Sequence, residues 1–259
     1  MKRNLFVTVL LVCMALIISL TGCETKEPEP EPYTKMIESI NNEDLSLARK
    51  YANLVIQDFP DTDYVYNAYL VKNMILCSKL QLQYAKSDFL SAGVDNLNTY
   101  LLKQSDIDTL EKYLEKTISR IDKLNKPFNK TLKYLLEHYD EDAGKIQLNF
   151  PEQAEGDLFY AETDLQPLSF FSSVGYPIPT ETDMYGGDTE NTIKIFRYLR
   201  NGDSGDEAFS YLRYFYITAT VCVDDDLVEK LCNQIIKMTE DDKYNEYRLN
   251  AEEYLKENK

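Results

Sequence analysis

Apolar residues in this chain recur every three or four positions, and that spacing commits most of it to amphipathic helix. Between 43 and 59, Leu45, Ala48, Tyr51, Ala52, Val55 and Phe59 share one helical face. Pro60 ends the segment, since it has no N–H for a helix ladder. Asp61, Thr62 and Asp63 offer caps for a helix over about 63–79. A third helix is expected from about Leu80, carrying Leu82, Ala85, Phe89, Ala92, Leu97, Tyr100 and Leu101. Ser105, with Asp108 three residues on, opens a fourth in a variant of the capping box. Its stripe is Ile107, Leu110, Leu114, Ile121 and Leu124. Pro127 suits the first turn of a further helix with Phe128, Leu132, Leu135, Leu136 and Tyr139.

The pattern lapses over 143–187 and resumes at Asp188. Residues 189–200 carry Ile193, Phe196 and Leu199, and residues 206–222 carry Ala208, Leu212, Phe215 and Ala219. Ser204, within Gly202-Asp203-Ser204-Gly205, reads as a cap between these two helices. Asp226 opens a helix with Leu227, Leu231, Ile235 and Met238, and Thr239 with Asp242 opens the last. Short connections between helices predict antiparallel hairpins. The expected fold is therefore all-α, with a helical region at 34–142, an irregular or short-hairpin insertion at about 143–187, and a second helical region at 188–259.

The insertion alternates Gly144, Gly156, Gly175, Gly186 and Gly187 with Pro151, Pro167, Pro177 and Pro179. A loop of this length is either functional or a connector that packs its own side chains. Its candidate ligand-contacting residues are Glu155, Asp157, Phe159, Tyr160, Phe170, Phe171 and Tyr176. These aromatics and carboxylates suit a groove for a sugar or a peptide. The solvated-loop alternative stays open.

Before the helices, Lys2 and Arg3 precede sixteen uncharged residues, Leu5 to Leu20, and the run closes on Leu20-Thr21-Gly22-Cys23. A cationic start and small residues before a cut mark a cleaved leader, and sixteen residues are short of the roughly twenty that span a bilayer. The stretch resembles a bacterial lipoprotein signal peptide. That resemblance implies removal of 1–22 and acylation of Cys23, including palmitate, at the new N-terminus. Two or more acyl chains make a stable anchor, at about 0.8 kcal/mol per buried methylene. Residues 23–33 then form a tether, in which alternating Pro and Glu favour an extended chain reaching about 30 Å.

A second resemblance lies over 44–89, carried by Leu47-Ala48, Tyr51, Phe59-Pro60, Tyr64, Ala68, Leu70 and a restart at Leu82-x-x-Ala85. It is similar to a tetratricopeptide (TPR) repeat of bacterial envelope lipoproteins, with small residues for close approach and proline closing the second helix. Asn73 and Lys79 depart from the small residues usual near its turn. The resemblance implies antiparallel hairpins in a TPR-like array with a protein or peptide partner.

Composition excludes several functions. Loss of Lys2 and Arg3 with the leader would take the net charge from −16 to −18 (−16 − 2). So acidic a chain repels phosphates, which rules against nucleic acid as a partner. An apolar content of 44% supports a folded core rather than global disorder. With Cys13 in the leader and Cys23 acylated, Cys77, Cys222 and Cys232 remain, an odd count that argues against a disulfide framework. Cys222 and Cys232 flank Asp224-Asp225-Asp226 about one turn out of register, which disfavours a bridge between them but leaves their pairing open. The one histidine, His138, falls near a helix end, where a cation complements the dipole. No zinc spacing, phosphate loop or His-Glu-x-x-His occurs.

The sequence thus points to no catalytic, cofactor or metal residues and to no enzyme. The expectation is a cell-envelope lipoprotein outside the cytoplasmic membrane or in the outer membrane of a bacterium, acting as a non-catalytic helical scaffold. The alternative is substrate capture, of carbohydrate or another small ligand, by the 143–187 insertion. Labelled palmitate supplied to cells should enter the wild-type product. Its failure to do so would overturn the assignment of Cys23.

Overall fold

Every element of the computed structural model is a helix among the residues it describes, which are 29–97, 104–139, 188–201, 211–239 and 245–257. Eight helices follow in order: α1 (Glu31–Asn41), α2 (Leu45–Asp58), α3 (Tyr64–Leu97), α4 (Gln104–Glu137), α5 (Asp188–Asn201), α6 (Tyr211–Val221), α7 (Asp225–Met238) and α8 (Asn245–Glu257). None of them is long and apolar enough to cross a membrane. The described residues from Pro32 onward belong to one compact unit. The insertion at 143–187 lies outside the described residues.

The corner between α1 and α2 is built from local chemistry. The Asp44 N–H reaches the Ser39 carbonyl at 2.9 Å and the Glu43 N–H reaches that of Ile40 at 3.0 Å. This is the Schellman closure, which places Glu43 in the left-handed region, with φ 61°. Glycine is usual there, because a side chain crowds the backbone at positive φ. Asp44 then caps α2 by accepting the Leu47 N–H at 2.8 Å. Leu45, Ala48, Ala52 and Val55 are buried along α2, Tyr51 and Phe59 are half-buried, and Pro60 follows the end of the helix.

Two expected breaks are absent. The helix predicted to restart near Leu80 is continuous with its predecessor, and α3 runs unbroken from Tyr64 to Leu97. No Gly or Pro lies between Tyr64 and Ala92 to interrupt the ladder. Likewise α4 runs from Gln104 to Glu137 with Pro127 in its interior. An interior proline costs about 3 kcal/mol and leaves the carbonyl of Lys123 without its helical donor. Tertiary contacts beside it offset that cost. Phe128 is fully buried one residue on, and its carbonyl accepts the Asn73 side-chain amide at 3.1 Å.

α3 is the centre of the unit. Val65, Ala68, Leu70, Val71, Met74, Ile75, Leu76, Cys77, Leu80 and Leu82 are all buried, on every side of the helix. Such a helix needs neighbours all around it, and α2, α4, α5 and α6 each pack against it. α4 lies antiparallel to it, since Tyr69 stacks on Tyr134 at 3.7 Å while Asn73 bonds Thr131. α1 and α2 lie along α3 in opposite directions. Tyr33 accepts from Asn67 near the start of α3, and Lys72 reaches back to Asn53 at 2.7 Å.

Asn73 ties three helices together. It is fully buried, and its amide nitrogen donates to Thr131 Oγ1 at 2.7 Å and to the Phe128 carbonyl of α4. Its carbonyl oxygen accepts the Tyr214 hydroxyl of α6. Cys77, one turn along, is fully buried too, and burial pushes its thiol up to about 12, which keeps it protonated and inert.

The C-terminal helices follow the expected stripes with small shifts. Asp224, not Asp226, caps α7, taking the Leu227 N–H at 3.2 Å. Thr239, expected to open the last helix, instead closes α7, its hydroxyl donating to the Ile235 carbonyl at 2.8 Å. Cys77, Cys222 and Cys232 are free thiols. The tether expected through residue 33 gives way to α1 at Glu31, because Pro32 is tolerated in a first turn.

Tyr214→Phe keeps the ring but strands the Asn73 oxygen in the core, so it should lower stability in urea denaturation by about 1–3 kcal/mol. A loss below a few tenths would show that this hydrogen bond does not hold α6 on α3.

Candidate functional site

Beside the α1–α2 corner, the helices leave an open cavity of about 620 Å³. Its walls come from the corner (Asn42–Ser46), from α3 (Lys79, Gln83), from α4 (Arg120, Lys123, Leu124) and from α5 (Thr189, Thr192). The geometry follows from the packing. α4 runs antiparallel to α3, which sets Arg120 and Leu124 opposite Gln83 and Lys79. The α1–α2 turn closes one side and the first turn of α5 another.

Apolar surface predominates in the lining, and its charged side chains are weighted to the positive sign. Lys79, Arg120 and Lys123 face Glu43 and Asp44 around it. The two carboxylates are already engaged, Glu43 by an ion pair with Arg197 of α5 and Asp44 by the backbone of α2. Neither Lys79 nor Lys123 forms an ion pair among the described residues. Burial lowers the Lys79 pKa below its ordinary 10.5, and the nearby Arg49 guanidinium adds to this. A lysine kept partly from water with no anion beside it favours a negatively charged guest. Gln83 is only 5% exposed, and its carbonyl oxygen is buried with no hydrogen-bond donor among the described residues. The first turn of α5 adds its dipole, positive at that end.

The residues expected from the sequence to contact a ligand, Glu155, Asp157, Phe159, Tyr160, Phe170, Phe171 and Tyr176, lie outside the described residues, as does Cys23. His138 sits exposed just past the end of α4. Its Nδ1 is 2.9 Å from the Tyr134 carbonyl, a distance that fits donation from this nitrogen, and its ring stacks on Tyr134 at 4.0 Å. No group of His, Cys, Asp or Glu among the described residues is arranged to hold a metal ion.

Periodicity does not disclose the cavity. Lys79 and Gln83 stand four apart on α3, and Arg120 and Leu124 stand four apart on α4. Those two pairs are the available signal, but they face each other only because α3 is continuous through residue 80. No protein-family model, no curated protein and no solved structure matches the chain.

Lys79→Met should raise the melting temperature at neutral pH, because it removes a charge that folding partly desolvates. The sign of the pH effect follows from linkage. With its folded pKa depressed, Lys79 holds fewer protons folded than unfolded between that pKa and 10.5, so its penalty fades as pH rises through this window. The advantage of the variant should be fullest below the window and shrink toward pH 10.5, which thermal melts across pH 7–11 would show. A pH-independent difference would contradict it.

Proposed function

We propose that this chain is a lipid-anchored, non-catalytic binding module working outside the cytoplasmic membrane of a bacterium, in that membrane's outer leaflet or in the outer membrane. The leader ending in Leu20-Thr21-Gly22-Cys23 supports the location. On this reading acylated Cys23 provides the attachment, and the Pro/Glu stretch that follows spaces the helices from the surface.

The partner on this reading is an envelope protein or peptide. The observation that carries it is the stacking of α1, α2 and α3, three helices alternating in direction and joined by short turns. Side-by-side hairpins offer an extended face for a segment of another chain, as in TPR-like arrays. The length of α3 departs from the short helices of such repeats, so the reading is of a repeat-like stack with a long central helix.

A second reading, capture of carbohydrate or another small ligand, draws support from the open cavity between the helices. Most of its lining is remote in sequence from the 143–187 insertion, the segment whose composition suggests capture, but Thr189 and Thr192 follow that segment closely. Crosslinking of intact cells followed by mass spectrometry separates the readings. The scaffold expects one envelope protein to co-purify with the wild-type chain. Capture by the insertion expects a carbohydrate-dependent rise in melting temperature that is lost when 143–187 is shortened. Recovery of no protein, together with a hydrolytic activity lost in Glu155→Ala or Asp157→Ala, would sink the non-catalytic reading.

A further inference from the structure

The cavity beside the α1–α2 corner has a chemistry of its own, independent of any protein partner on the outer helical faces. We propose that it is a binding site for a small organic anion, one carrying a carboxylate or phosphate on a body about the size of a sugar or an amino acid. Its volume of about 620 Å³ falls within the range of small-molecule sites.

Three features specify the guest. The first is charge. Lys79 and Lys123 present two cations without ion partners among the described residues, Arg120 is a further cation that already has an interaction of its own, and the two carboxylates of the lining are held by Arg197 and by the backbone of α2. In a chain of net charge −16 this is a local reversal of sign, and a low-dielectric recess strengthens its pull on an anion. The second is the acceptor on Gln83. A buried amide oxygen with no donor loses the hydrogen bond it would make in water. A guest with a hydroxyl or amine beside its anionic group supplies that donor with a small shift of the side chain. The third is the apolar contribution of Leu45 and Leu124, which gives the body of the guest a surface to cover.

These features select against other guests. A cation would meet three like charges. A wholly apolar molecule would cover the apolar walls but leave half-buried Lys79 and the Gln83 oxygen without partners. A bare inorganic anion would satisfy the lysines but leave most of the volume and the two leucines uncovered, so an organic anion should bind more tightly than phosphate alone.

The test uses the full chain purified from membranes in neutral detergent. Thermal melts are recorded with sodium chloride, inorganic phosphate, citrate or glucose 6-phosphate at matched ionic strength. Citrate or glucose 6-phosphate at about 10 mM should raise the midpoint by roughly 2 °C or more over chloride, and phosphate by less. The citrate and sugar-phosphate arms distinguish a carboxylate guest from a phosphorylated one. Lys79→Met with Lys123→Met should abolish the rise while leaving the helical circular dichroism intact. Gln83→Leu should weaken glucose 6-phosphate about tenfold in calorimetric titration. Should the double variant fail to fold, Lys123→Met alone, at an exposed position, should weaken binding several-fold. The proposal is overturned if no organic anion exceeds chloride, or if the rise survives loss of the lysines.

Discussion

Burial of α3 on all its sides is the constraint on which the rest depends. A helix with buried residues around its whole circumference cannot sit on a surface. It has to be enclosed, and α2, α4, α5 and α6 provide the enclosure. The polar centre of that core is Asn73. It is an expensive residue to bury, and the arrangement meets its needs with two acceptors on α4 and a hydroxyl on α6. Because those partners exist only when α4 and α6 sit in one register, the amide selects among packings that hydrophobicity alone would treat as similar. The same registration brings Gln83 opposite Arg120 and so creates the cavity.

Much of the fold is legible in the sequence, and each exception has a physical cause. Leu45, Ala48, Ala52 and Val55 announce α2, and Leu227, Leu231 and Ile235 announce α7, because each helix has one wet face and one dry one. α3 lacks that contrast. Without an amphipathic signal, a repeat register suggests a break near Leu80, where no breaker stands. Pro127 misleads for a different reason. Its local preference for a first turn is real, but burial of Phe128 and the bond from Asn73 hold the helix through it. The caps show the finest limit. Asp224, Asp225 and Asp226 are locally equivalent, and only the path of the chain decides which one closes the turn.

The candidate site is less legible than the fold. It gathers residues from Asn42 to Thr192, and none of its short segments has a motif. Lysine and arginine on helices usually report a solvated face, so Lys79, Arg120 and Lys123 carry no distinguishing mark. Overall acidity also conceals them, because net charge averages away a local excess of the opposite sign. In the proposed setting, an acidic module held off an anionic membrane would still draw small anions into one cationic recess. Long-range repulsion and short-range capture then act on different length scales.

The left-handed turn at Glu43 has a consequence for the order of assembly. The bonds that close the corner come from residues within five positions of one another, whereas Arg197 lies 154 residues further along. A chain delivered amino-terminus first can fold the turn long before its distant clamp has been made. Until α5 arrives, Glu43 carries its conformational strain without the compensating charge. The recess is thus completed only once α5 has arrived, and a molecule lodged in it would bridge segments as far apart as Asn42 and Thr192.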